Sequence, residues 1–181
     1  MLAYKITAPG LVSTHGQRGR FNIQSGVNYT PEANCARNGF HAAEDPLDCF
    51  NYYSRGSDYE YYLVDARGDI DETNGDTKLA CTELEIIRRL SLKEFIAAAL
   101  IYARKYPNRP YNTSIVSKEK GTCRGGFAVV RGKNPKAAGS EIGDLLALIK
   151  ETSDGVEIAL IEVDGERILP DVFYNIEREA V

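Results

Sequence analysis

Ser91 to Pro107 is the segment that most constrains the fold. Ser91 and Glu94 have the spacing of a capping box, in which each side chain satisfies a backbone N–H that the first turn leaves open. Leu92, Phe95, Ile96, Ala99, Leu100 and Ala103 then recur at helical spacing and form one apolar face. The helix must stop before Pro107, and Pro110 follows. This is the clearest helix in the chain, and the patterns on both sides of it read as strands. We therefore expect an α+β fold. Residues 1–106 form a small, mostly antiparallel sheet with two helices, and residues 107–181 form a β-rich C-terminal part.

A chain of 181 residues has room for a core of its own without disulfide or metal staples. Its net charge is −4, and it is unevenly spread. Residues 1–90 carry 9 Lys/Arg against 13 Asp/Glu, and residues 91–181 carry 13 of each. Neither half has the basic footprint of a nucleic-acid binder, so no nucleic-acid partner is expected. Arg18, Arg20, Arg37 and Arg55 are read as solvated surface charges rather than an anion site. Lys5, Thr7 and Pro9 interrupt any leader-like apolar run, and no apolar stretch approaches a bilayer's thickness. The expectation is a cytoplasmic protein without a membrane partner, with Cys35, Cys49, Cys81 and Cys123 reduced. Asn28 and Asn112 then begin glycosylation-like triplets by chance.

Residues 3–8 read as a first strand closed by Pro9-Gly10, with short strands near 20–23 and 27–30. Asp45-Pro46 opens a helix, because aspartate caps free N–H groups and proline has none to orphan. Leu47, Phe50 and Tyr53 share one face of it, and it ends near residues 54–56. Residues 59–66 read as an aromatic strand, 67–77 as an acidic loop and 78–88 as a strand. Beyond Pro110, Asp154-Gly155 and Asp164-Gly165 separate apolar runs at 145–151, 156–163 and 168–176, which predicts a β-meander. Residues 142–150 also suit a helix. Gly125, Gly132 and Gly139 recur every seven residues, as a short repeat or as sheet turns.

Side chains able to do chemistry gather between Cys35 and Tyr62. A metal held by Cys35, His41, Cys49 and Cys81 would lack the close cysteine pair usual for structural zinc, so no metal and no cofactor is expected. Cys35 or Cys49 with His41, oriented by Asp48, has the residue types for nucleophilic catalysis. The plainer reading has His41 at a strand end, hydrogen-bonded to the chain. Phe50, Tyr52, Tyr53, Tyr59, Tyr61 and Tyr62 offer apolar bodies with polar tips, which suits a contact surface. Tyr59 and Tyr61 face one way along the strand and Tyr62 the other.

The run Cys35…Gly39-Phe40-His41…Pro46…Asp48…Tyr52-Tyr53, then Asp76-Thr77-Lys78 and Arg88-Arg89-Leu90-Ser91, resembles an uncharacterised family encoded in bacteriophages and prophages. The ending Asp164-Gly165-Glu166…Leu169-Pro170-Asp171…Tyr174 resembles that family's tail. That family often carries a second cysteine where this chain has Ala43. The resemblance implies a phage or prophage accessory protein, with no assigned molecular function. We expect it to bind a protein or a small nucleotide-like ligand through Phe40, Tyr52, Tyr53, Tyr59 and Tyr61. The alternative is an ADP-ribosyltransferase-like enzyme, active or decayed, using NAD. In that superfamily's order, His15 would hold a ribose, with His41 beside it. Glu83 or Glu85 would stabilise the oxocarbenium-like charge that develops as nicotinamide leaves.

Overall fold

The computed structural model describes residues 1–14, 21–35, 37–56, 58–72 and 75–181. The chain divides into two compact units, residues 1–54 with 58–95 and residues 55–57 with 96–181.

The first unit is an all-antiparallel sheet. Its main strands are β1 (Leu2–Thr7), β4 (Val27–Tyr29), β5 (Phe40–Ala43), β6 (Glu60–Glu72) and β7 (Lys78–Leu90). Between β1 and β4, β2 (Val12–Ser13) and β3 (Phe21–Asn22) form a separate short ladder. β6 pairs with β1 on one edge and with β7 on the other. β7 pairs in turn with β5, and β5 returns to β1 through Tyr4 opposite Ala43. The pairings therefore run in a closed circuit, β1–β6–β7–β5–β1, with β4 added beside β7 at residues 83–85.

Alternation explains which side chains go inside. Ala3, Ala42, Tyr62, Val64, Ala66, Leu79, Cys81 and Leu84 build the buried cluster within this circuit, joined by Ile23. The opposite face of β1 and β6 carries Tyr4 and Tyr61. The Phe95 ring sits 5.8 Å from Tyr4, 4.9 Å from Tyr61 and 5.9 Å from Phe50, in edge and tilted contacts that aromatic quadrupoles favour. Phe95 belongs to α1 (Leu92–Lys105). As the spacing predicts, Glu94 accepts from the Ser91 N–H at 2.8 Å, and the Glu94 N–H donates to Ser91 Oγ at 3.2 Å.

Two expectations for this unit change. Residues 67–72 are strand, because β6 continues past a bulge between Arg67 and Ile70. Gly68 makes the bulge at φ 72°, and the Asp69 N–H donates to Thr82 Oγ1 at 2.9 Å. The helix after Asp45 is a single 3₁₀ element, Pro46–Asn51. Asp45 caps it as expected, accepting from the Leu47 N–H at 2.9 Å. It ends early because Asp48, which points inward, is drawn to the Thr77 N–H at 2.9 Å and the Thr77 hydroxyl at 2.8 Å.

The second unit contains β8 (Val116–Thr122), β9 (Phe127–Ala138), β10 (Leu145–Thr152) and β11 (Gly155–Glu162), in the order β11-β10-β9-β8. Only β10–β11 of these four is a hairpin; it turns through Ser153 and Asp154, and Gly155 opens β11 opposite Thr152. β8, β9 and β10 run parallel, with Val116 opposite Val129 and Val129 opposite Ala147. The expected meander is thus a stack of parallel passes, and residues 145–152 are strand rather than helix. Parallel neighbours without a crossover helix require sharp bends. β8 bends at Glu119, whose φ is 60° and whose carboxylate accepts from the Lys133 and Asn134 N–H groups. A side chain at Gly132 would strike that carboxylate, and one at Gly139 would strike Asp144. Close approach at these bends accounts for two of the three glycines spaced by seven. Residues 168–176 form no named strand; Tyr174 makes single bridges to Ala137 and Ala180. Alternate apolar residues of the passes, Ala128, Val130, Leu146, Leu148 and Ile161, form the core.

Candidate functional site

β1 and β5 touch at only one register pair, Tyr4 with Ala43. Antiparallel continuation would set Lys5 opposite Ala42 and Ile6 opposite His41, but the strands part there. Lys5 bridges the gap. It lies on the inward face with Ala3 and Thr7, is 4% exposed, and donates from Nζ to the His41 carbonyl at 2.6 Å. A lysine thereby takes the place of a missing ladder bond, since a buried carbonyl without a donor is costly.

A cavity of about 190 Å³ opens at this parting. Tyr4, Lys5 and Ile6 form one wall and His41, Ala42 and Ala43 another. Ser13, Cys49, Tyr52, Tyr53 and Lys78 complete it. All of these belong to the first unit.

The lining carries basic nitrogens and, among the described residues, no carboxylate. Burial holds the Lys5 ammonium down to about 8, while the neighbouring Cys49 and Cys81 push the other way. Burial, with Lys5 and then Lys78 nearby, holds His41 down to about 4, so its imidazole is neutral at pH 7. The Lys78 ammonium lies 4.2 Å from the centre of the Tyr52 ring, in cation–π contact. The Tyr52 hydroxyl donates to Asp76 at 2.8 Å, and burial and that bond push its ionisation upward. Tyr53 stands against Tyr59, ring centres 5.4 Å apart.

The residues singled out from sequence separate into three groups. His41, Tyr52 and Tyr53 line the cavity together. Phe40 packs on the core within the sheet circuit, Tyr61 is 6% exposed against Phe95, and Tyr59, which is not among the lining residues, stands against Tyr53. Phe50, Tyr53, Tyr61 and Tyr62 are all buried, so this run of aromatics is largely core rather than a contact surface. Glu83 and Glu85 lie outside the cavity lining, both paired with Arg67 on a partly exposed face. His15 lies outside the described residues.

The cysteines face backbone. Cys49 Sγ donates to the Tyr4 carbonyl at 3.4 Å, Cys81 Sγ to the Phe40 carbonyl at 3.4 Å and Cys35 Sγ to the Lys78 carbonyl at 3.7 Å. Burial pushes the Cys49 thiol far up and Cys81 up to about 11, which suppresses thiolate chemistry at both. No three His, Cys, Asp or Glu side chains among the described residues are grouped to hold a metal.

The residue that sequence reasoning missed is Lys5. In the sequence it only interrupts an apolar run. One signal was available: it shares strand parity with Ala3 and Thr7, and a lysine at an inward position of a buried strand is rare.

Residues 1–98 match the model of a family described as a domain of unknown function (DUF7666). No curated protein and no solved structure matches the chain. No helix among the described residues is long and apolar enough to cross a membrane.

Proposed function

The chain belongs to the DUF7666 family, and from that premise we propose that it is a binding protein for a small, ring-bearing anion of nucleotide-like chemistry. The observation that carries this reading is the cavity lining: aromatic walls, two lysines and a neutral histidine, with no carboxylate among the described residues. A buried cation is costly without a partner, and a ligand anion would supply one to Lys5. Tyr52 and Tyr53 offer ring faces or edges to a planar group. At about 190 Å³ the cavity suits one ring and its acidic substituent rather than a whole dinucleotide. The phage or prophage setting is part of the same proposal, and the Gly39-Phe40-His41…Tyr52-Tyr53 motif supports it.

The NAD-dependent alternative gains no comparable support, because Glu83 and Glu85 are engaged by Arg67 away from the cavity. A protein partner reading through the tyrosines is weakened by their burial.

The test is a thermal-shift panel of nicotinate, benzoate, a cyclic nucleotide, ADP-ribose and NAD. A ligand at 100 times its Kd stabilises by about 2.7 kcal/mol. For a protein of this size that raises Tm by roughly 5–10 °C. The ring-sized anions should shift Tm in wild type and not in Lys5→Met. If no ligand shifts Tm, or if the shift persists in Lys5→Met, the reading fails.

A further inference from the structure

Lys5 has a second property that anion binding does not use. Lys5 is one of the residues lining the cavity, yet its side chain is buried and its environment disfavours the cation. Among the described residues its one hydrogen bond runs to the His41 carbonyl, which leaves the other two N–H positions uncommitted. Nearby carboxylates do not compete for it: Asp48 is held by Thr77, and Asp76 by Tyr52 and Asn51. The remaining lysine of the lining, Lys78, rests on the Tyr52 ring. A desolvated lysine in an aromatic pocket is the usual setting for an amine that attacks carbonyl carbon.

We propose that Lys5 is a covalent attachment site for an aldehyde or ketone that carries a ring and an acidic group. This goes beyond reversible anion binding but rests on the same cavity. In the step, the lone pair of neutral Nζ attacks the carbonyl carbon and a C–N bond forms. The amine proton passes to the former carbonyl oxygen, giving a carbinolamine. That oxygen then leaves as water as the C=N bond forms and Nζ gives up its second proton. Atoms and electrons balance with no oxidant or reductant. His41, whose imidazole is neutral, belongs to the same lining. Lys78 is placed to meet the acidic substituent.

The experiment uses the full chain, 4-formylbenzoate as probe and cyanoborohydride to trap the imine, followed by intact mass and peptide mapping. The chain has nine lysines, so the readout is selectivity. We expect one dominant adduct, on Lys5, with benzoate protecting against it. Labelling should rise across pH 7–9 with a midpoint near 8, below that of the exposed lysines. Lys5→Met should lose the dominant adduct, with folding checked by circular dichroism. The wild-type map decides the matter even if that variant misfolds. Labelling that follows surface exposure, with Lys5 at or below the others, overturns the proposal. A benzoate Tm shift without Lys5 labelling overturns the covalent step alone and leaves the binding reading standing. No shift and no labelling removes both.

Discussion

Replacing Lys5 with methionine tests the electrostatics of the site directly. Lys5 is 4% exposed, and its ionisation falls from 10.5 to about 8 on folding. That difference corresponds to about 3 kcal/mol of disfavoured charge. The sign follows from proton counting. Between pH 8 and 10.5 the unfolded chain binds more protons at this residue than the folded chain, so stability rises with pH there. Below pH 8 both states are charged and the whole penalty is present. Methionine removes the charge but also leaves the His41 carbonyl without its donor, a loss of about 1–3 kcal/mol. At pH 7 the variant should therefore equal wild type or exceed it by up to about 2 kcal/mol. By pH 10 the order should reverse, with about 2–3 kcal/mol of relative change. Urea denaturation followed by far-ultraviolet circular dichroism, under reducing conditions, reads this as a relative midpoint shift of about 1 M. Groups common to both proteins cancel in the difference. If wild type and variant keep a constant gap from pH 7 to 10, Lys5 is not a buried, charge-penalised amine and the account of the cavity is wrong.

Other outcomes follow from the same geometry. Asp48→Ala strips the Thr77 N–H and hydroxyl of their acceptor and should cost about 1–3 kcal/mol in urea denaturation. Gly68→Ala puts a side chain at φ 72° and against Thr82, so it should destabilise by more than about 1 kcal/mol. Glu83→Gln and Glu85→Gln remove partly exposed ion pairs and should each change stability by no more than about 0.5 kcal/mol. Neither should alter the ligand-induced Tm shift, and a lost shift would bring these carboxylates back into the site.

Local signals proved readable where the local energy is decisive. The Ser91–Glu94 box, the Asp45-Pro46 opening and the Asp154-Gly155 hairpin all depend on a few neighbouring residues, and all are present. Pairing between distant segments was not readable. The unbroken run at residues 127–131, buried on both faces, marks a strand but does not say which segments lie beside it or in which direction they run. The meander expectation failed on that point. The continuation of β6 through residues 67–72 was hidden for a related reason. Glycine and acidic residues mark a loop, whereas the Thr82 hydroxyl across the ladder makes a bulge of them. At the site, His41, Tyr52 and Tyr53 stood out by residue type. Lys5 did not, because its significance arises from a gap between two strands far apart in sequence.

The closed circuit of strand pairings also governs what the chain offers to other chains. An unpaired strand edge is a template for aggregation. In the first unit the circuit gives β1, β5, β6 and β7 a partner on each side, although β1 meets β5 at one register pair only, and the short β4 is the outermost strand. The second sheet is open and ends on β8 and β11. β11 is eight residues long, with Val156, Ile158 and Leu160 only half-buried and the exposed acids Glu157 and Glu162 along it. Charged side chains along an edge strand disfavour its pairing with another chain. Replacing Glu157 and Glu162 with glutamine should therefore raise self-association at the β11 edge, read by size-exclusion chromatography.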